Sequence, residues 1–414
     1  MKPAGQYCAF SDAAIVEAVR TPWVDLGGEL AHVSPIDLGI KVGREVLLRA
    51  GLDAQTVDSV LAGSMAQSSF DAYMLPRHIG LYSGVPQQVP ALAVQRICAT
   101  GFELLHQAAR QLNEGVELAL CVGAESMSRN PIAAYTHRGG FRLGAAVEFK
   151  DFLWEALYDP APGLDMIATA ENLAKRYGLS REAVDAFALN SHQQALNAQA
   201  SGWFEDEIVA LRTEQFELDG YQPRGISLSR RCESVSRDSH PRSTDGVALA
   251  RLAPIHVQGV QTAGNSCAVV DGAAAALVAR TSSLKRPALA HLLASAVVGV
   301  APEVMGIGPV SAIQLLLQRS GLTLSDIGRF EINEAQGAQV LAVARALELD
   351  TQALNCRGGS IALGHPLAAT GLRLVMTLAR QLREHNLRYG IAAACVGGGQ
   401  GMAVLIENPH FSTH

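Results

Sequence analysis

One short pattern occurs twice in this chain. ATG, seven further residues and then ARQL run from Ala99 to Leu112 and again from Ala369 to Leu382, an offset of 270 residues. In the same register Gly51-Leu52 falls on Gly321-Leu322, each closing a helix of apolar periodicity, and each followed by a strand-like run, TVDSVLAGS or DIGRFEINE. With a shift of four residues Cys121-Val-Gly falls on Cys395-Val-Gly, which makes Cys121 the expected twin of Cys395. Two halves therefore share the order helix, strand, glycine-bearing turn, helix, strand. Strands alternating with amphipathic helices predict βαβ units. The strand runs ELALCVGA and YGIAAACVG are almost wholly apolar, as both-sided burial requires. The fold class is α/β, expected as a duplicated α/β/α/β/α layered body of two similar halves with an inserted loop domain.

The halves span 1–128 plus 258–283, and 284–414. Residues 129–257 match neither and form the insertion. That segment carries a helical pattern at SREAVDAFALNSHQQALNAQASG, with Ser180 as its start signal and Gly202 as its stop. It also holds the polar run ISLSRRCESVSRDSHPRSTDG. The returning TAGNSCAVVDGAAAALVAR is too apolar for a surface and is expected to rejoin the first half.

Composition narrows the partners. With 49% hydrophobic and 17% charged residues the chain is globular, and a net charge of −6 without a basic run argues against nucleic acid. No segment reaches the length of a membrane span and the N-terminus lacks a signal-peptide pattern, so the cytoplasm is the default compartment and no membrane partner is expected. Seven scattered cysteines read as reduced thiols. Without CxxC or His/Cys clusters at ligand spacing, no metal is expected.

Four candidate chemical groups sit at or beside element ends. Cys98 stands where a helix begins, so the helix dipole and free N–H groups would favour its thiolate; packing as a small buried apolar residue is the alternative. His365 precedes the matching helix, with Pro366 at an early helical position, and pseudo-twofold symmetry would bring a cysteine and an imidazole together as an activated nucleophile. Asn333 ends a strand in INEAQGAQ, as an oxyanion-orienting amide or as a turn residue. Cys395 ends a strand before GGG, where backbone N–H groups can be approached closely; a dinucleotide loop would need a following helix, and MAVLIE is strand-like.

On these residues, and on VEAVRTP (16–22), GAESMSR (123–129), TAEN (169–172), TAGN (262–265), MGIGP (305–309), NEA (333–335), GGSIALGHP (358–366) and CVGGGQG (395–401), the chain resembles the thiolase family along nearly its whole length. The resemblance implies thiolysis of 3-ketoacyl-CoA by coenzyme A, or the reverse Claisen condensation, through an acyl-cysteine. Coenzyme A or acetyl-CoA is then a substrate, and no cofactor is permanently bound. It further implies Cys98 as nucleophile, His365 as base, and Cys395 as the acid/base at the α-carbon. Asn333 would hold an oxyanion water, and the N–H groups of Cys98 and Gly397 a second oxyanion. Met166, Asn265, Ser266 and Cys267 are expected along the CoA channel, and Arg242 at the adenine end or else as an ordinary surface arginine. A homodimer or homotetramer is implied, the latter through a loop within 130–155.

Four positions depart from the family pattern: Gln336 stands where a phenylalanine is usual, Asp165 where a histidine is, Cys267 where a serine is, and Ala368 where a glycine is. They predict retained chemistry with altered acyl specificity or CoA positioning. A condensing synthase of the same superfamily usually lacks the second cysteine, and a non-catalytic subunit would favour loss of Cys98 or His365; all three are present.

Overall fold

Residues 5–66, 72–135 and 137–412 are described by the computed structural model. In the first half, strands β1 (Gln6–Ala9), β2 (Ala14–Arg20) and β3 (Val24–Asp25) lead into helix α1 (Pro35–Ala50), then β4 (Ser59–Gly63), α2 (Leu75–Tyr82), β5 (Ala91–Ala93), α3 (Thr100–Leu112) and β6 (Leu118–Glu125). The caps show why α1 stands where it does: Ser34 accepts the Ile36 N–H, Pro35 opens the first turn, and Gly51 closes it at φ 62°. The insertion contributes α4 (Met166–Tyr177) and α5 (Arg181–Ala200), the latter capped by Ser180 as its sequence predicts. The chain returns through β7 (Val270–Ala279), and the second half follows as β8 (Ala290–Gly299), α6 (Gly308–Ser320), β9 (Ile327–Ile332), α7 (Gly337–Leu347), α8 (Leu367–Glu384), β10 (Tyr389–Val396) and β11 (Gln400–Glu407).

The strands form one continuous sheet in the order β9-β10-β11-β8-β2-β7-β6-β4-β5, with β1 beside β8 and β3 beside β7. Each half repeats one motif: β6 lies parallel to β4 and antiparallel to β7, just as β10 lies parallel to β9 and antiparallel to β11. The halves join where β8 pairs with β2 at Ala290↔Ile15 and His291↔Ala14, and with β1 from Gln6↔Val297 to Ala9↔Ala294. Helices complete the layers. Leu120 and Val122 point into the core under α1 and α2, whereas Cys121 points the other way, into the core built by α3, α8 and inward strand residues of both halves. Helices α6 and α7 cover the second half. The predicted five layers are present, around a sheet that is not cut in two.

Duplication and packing meet at two glycines. A Cβ on Gly101 would lie 2.5 Å from Leu372 N, and one on Gly371 would lie 2.5 Å from Phe102 N. The glycine of each ATG copy thus packs on the other, and α3 and α8 cross at backbone contact. Any side chain there would push apart the two helices that begin at the site residues.

The insertion is tied to the body by buried charge. Arg20 on β2 binds Glu207 through Nε (3.0 Å) and Asp238 through Nη1 (2.6 Å), all fully buried. Such a pair adds little net stability, but removal of one partner costs about 3–5 kcal/mol, because it strands a charge away from water. Apolar contacts of Leu173, Leu179 and Val184 with Ala338 and Ala342 seat α4 and α5 on α7.

Candidate active site

Cys98 sits in the turn Ile97–Ala99 that runs directly into α3. That turn is held in an unusual shape: Ile97 has φ 47°, costly for a β-branched residue, while Thr100 Oγ1 donates to Ile97 O (2.7 Å) and accepts from Arg96 N (2.9 Å). Cys98 is 9% exposed. Burial pushes its thiol up to about 11, against the lowering pull of the Gly397 N–H and its own N–H. The expected thiolate at a helix start is therefore overturned in this state: loss of water outweighs the helix end, and the resting group is a thiol. The two N–H groups converge on the sulfur.

His365 lies between the short helix Ser360–Leu363 and α8, with its N–H on Ala268 O at 3.0 Å. Pro366 is the residue before α8 rather than its first member. The ring is fixed at both nitrogens. Thr370 Oγ1 donates to Pro366 O (3.1 Å), so it accepts from Nδ1–H at 2.6 Å, which leaves Nε2 with the lone pair. Asn333 Nδ2 donates to that Nε2 at 3.2 Å, and Asn333 Oδ1 accepts from Ser360 Oγ at 2.6 Å. Burial, aided by Arg373, holds the imidazole down to about 3, so it is a neutral base. Asn333 thus contacts the histidine directly.

Cys395 is the penultimate residue of β10 and is fully buried against Met305 and Ala335, with Met166 alongside. Burial raises its thiol well above the ordinary value, and Cys98 and Cys267 add to the rise, so three cysteines share one region. The strand stops one residue later, and Gly398 and Gly399 turn at φ 80° and 84°. These left-handed glycines leave the Gly397 N–H facing Cys98.

A cavity of about 210 Å³ reaches Cys98 and Gly397 between Met65, Ile97, Met166 and Leu367, with Leu157 to Pro160 as its outer wall. Of the channel residues, Met166 lines this cavity. Cys267 lies near Cys98 and donates its N–H to Ala335 O at 3.1 Å. Asn265 ties its loop to α5 and to itself: Nδ2 donates to Asp185 Oδ1 (2.7 Å) on α5 and to Val260 O (3.0 Å), and Oδ1 accepts from Thr262 N (2.7 Å). Ser266 Oγ accepts from Gln261 Nε2 at 3.1 Å. Arg242 is exposed on the insertion, its N–H directed at His192 Nδ1, and it does not line the cavity. Asp165 caps α4 by accepting from Ala168 N at 2.7 Å, and it meets His256 Nε2 at 3.1 Å.

Sequence reasoning missed Glu125 as a site residue. This last residue of β6 is fully buried. It accepts from Met65 N (2.6 Å), Ala66 N (3.4 Å) and Ser64 Oγ (3.3 Å), and from Ala368 N (3.2 Å) at the start of α8. Burial raises its carboxyl to about 7, and its charge in turn bears on Cys98. The signal was the 270-residue register itself, in which Cys395 falls on Glu125 and Ala368 on Cys98. Glu125 is the last and Cys395 the penultimate residue of its strand, whereas Cys121 is mid-strand with its thiol donating to Leu104 O at 3.6 Å. The reading of Cys121 as the twin of Cys395 is corrected accordingly. Thr370 and Ser360, which orient His365 and Asn333, lie in the repeated ATG and in GGSIALGHP, but neither motif by itself assigns them these hydrogen bonds.

A buried thiol under two N–H donors, with a second thiol and an oriented neutral imidazole, is an arrangement suited to thiol chemistry on an α/β fold. Residues 13–282 match the model of the thiolase N-terminal domain and residues 286–408 that of the C-terminal domain. The chain is 38% identical over 400 residues to the mitochondrial 3-ketoacyl-CoA thiolase of Bos taurus, covering 95% of this chain and 98% of that protein. It is also 38% identical over 404 residues to a probable acetyl-CoA acetyltransferase of Escherichia coli, covering 96% and 99%. Human mitochondrial 3-ketoacyl-CoA thiolase in complex with CoA superposes with a TM-score of 0.90 at 37% identity, over 96% of this chain and 98% of that one. The chain belongs to the thiolase family.

Proposed function

We propose that the protein is an acyltransferase that cleaves 3-ketoacyl-CoA with coenzyme A, and catalyses the reverse Claisen condensation, through an acyl group on Cys98. The carrying observation is the meeting of Cys98, under the Gly397 N–H, with the buried thiol Cys395. In the cleavage direction His365 Nε2 takes the Cys98 proton as the sulfur bonds to C3. The resulting alkoxide is held by the N–H groups of Cys98 and Gly397. As the C2–C3 bond breaks, its electron pair becomes the acetyl-CoA enolate, whose oxygen faces the now protonated His365 and Asn333. The Cys395 thiol protonates C2, and acetyl-CoA leaves. Coenzyme A then gives its thiol proton to the Cys395 thiolate and attacks the acyl-Cys98. Cys98 departs as thiol with the proton from His365. The protonation states support this order, since burial keeps His365 neutral and Cys395 protonated.

Binding of the CoA arm is assigned to the seam between insertion and body, past Met166 and Cys267, with Ser266 and Asn265 shaping the loop. The insertion is taken as 129–257. A homodimer or homotetramer is proposed: Leu92 is exposed on edge strand β5, and Tyr135, Phe141, Leu143, Phe149 and Trp154 are exposed on the 130–155 loop. Position 136 of that loop lies outside the described residues. The proposed compartment is the cytoplasm; no described helix is long and apolar enough to cross a membrane. Incubation with acetyl-CoA should add one acetyl group by intact mass, and Cys98→Ala should add none. An adduct that persists in that variant overturns the assignment.

A further inference from the structure

Three glutamines surround the turn that leads into α7, and two of them are fully engaged. Gln261 donates through Nε2 to Asn265 O (3.2 Å) and Ser266 Oγ (3.1 Å), and accepts from Ala338 N (2.8 Å). Gln339 accepts from Ala335 N (3.1 Å) and donates to Gly306 O (3.4 Å). Gln336 is different. It is 5% exposed, its Oε1 is buried without a hydrogen-bond partner, and its amide makes no side-chain cap on the helix it precedes. A buried acceptor left unmatched is destabilising, and native structures seldom keep one without a use.

Its position supplies the use. Gln336 faces Ser266 across a short antiparallel ribbon fixed by Cys267 N to Ala335 O (3.1 Å) and Gly337 N to Asn265 O (2.9 Å). Ala335, the preceding residue, packs on Cys395 together with Met305 and Met166. Helix α7 behind it carries α4 and α5 of the insertion. The orphan amide therefore lies in the seam between body and insertion, one residue from the wall of the reacting thiols.

We propose that Gln336 is a ligand-reading residue, whose amide hydrogen-bonds an N–H or O–H group of the acyl-CoA within a few bonds of the thioester. The inference rests on the thiolase reading. Two parts of the substrate carry such a group: the arm of coenzyme A, whose amide is common to every substrate, and an acyl chain bearing a hydroxyl or carboxyl.

The test is thiolysis by wild type, Gln336→Leu and Gln336→Met over 3-ketoacyl-CoAs with alkyl and with hydroxylated chains. Loss of one neutral hydrogen bond should lower kcat/KM about three- to tenfold. A uniform loss carried by KM assigns the amide to the arm, and a loss confined to hydroxylated chains assigns it to the acyl group. All values within twofold of wild type in both variants would overturn the proposal; Met, unbranched and of similar length, serves if Leu does not fold. Wild type inactive on every chain would sink the thiolase reading instead. Calorimetric Kd values for coenzyme A and a hydroxyacyl-CoA then decide Gln336 alone: a three- to tenfold weakening in the variants supports it, and equal values refute it.

Discussion

Strands β6 and β10 occupy equivalent places in the two halves, yet they deliver different groups to the same thiol. The end of β6 brings Glu125, whose carboxyl gathers N–H groups from the 64–66 loop and from Ala368 at the head of α8. The end of β10 brings Cys395, beside Cys98 at the head of α3. The pseudo-twofold thus exchanges the pair Cys98 and Cys395 with the pair Ala368 and Glu125. One member of the duplication carries the two thiols proposed to react, and the other holds a hydrogen-bonded brace. Identical topology fixes where groups can stand, and the residue at the strand end decides whether the place does chemistry or carries load.

Replacing Cys395 should break this comparison most sharply. Cys395→Ala removes the proposed proton donor to C2, so thiolysis should fall about 10²- to 10⁴-fold, the usual worth of a positioned acid or base. Acetylation of Cys98 by acetyl-CoA, which needs no proton at C2, should persist by intact mass. Thiolysis within tenfold of wild type would remove Cys395 from the reaction.

Glu125→Gln should do the converse, with less than tenfold change in turnover and a change in stability. The carboxyl is raised to about 7 by burial, against N–H bonds that pull it down. The folded chain therefore holds a proton up to about pH 7 that the unfolded chain releases near 4.5. The folded state is favoured by this group below about 4.5, and that contribution is lost as pH rises through 7. Wild-type stability relative to Glu125→Gln, read from urea midpoints, should decline over this window and then level off. A difference that grows with pH would mean that the carboxylate is ionised and well satisfied throughout.

How much of this was legible follows from the distances involved. The repeats at 99–112 and 369–382 are local, so helix starts, strand ends and the three candidate residues Cys98, His365 and Cys395 could be read in line. What could not be read is the pairing across the core. The register sets Glu125 and Ala368, 243 residues apart, where Cys395 and Cys98 stand in the other half, but not the hydrogen bond between them, and nothing marks Thr370 as the acceptor that sets the His365 tautomer. Protonation was misread for the same reason. The helix start at Cys98 is visible in the sequence, but the burial that overrides it is a property of three elements closing together. The four-residue shift that joined Cys121 to Cys395 matched letters, whereas the parallel strand pairing stays within one residue of the register of the helices: Ala62 pairs with Val122 and Ile332 with Ala393.

The smallest expected effect tests that last correction. Cys121 is fully buried in the layer between the two halves of the sheet, and burial alone raises its thiol. Its sulfur donates to Leu104 O at 3.6 Å, and it borders no cavity wall around Cys98. Cys121→Ala should therefore leave thiolysis within twofold of wild type and cost about 1 kcal/mol of stability by denaturant titration, the order expected for a small buried group and a weak hydrogen bond. A tenfold loss of turnover without loss of stability would give Cys121 a functional role that its structural reading denies it. The opposite outcome leaves the strand end as the feature that separates a packed cysteine from a working one: five residues of β6 lie at or beyond Cys121, whereas β10 keeps only Cys395 and Val396 before its glycine turn.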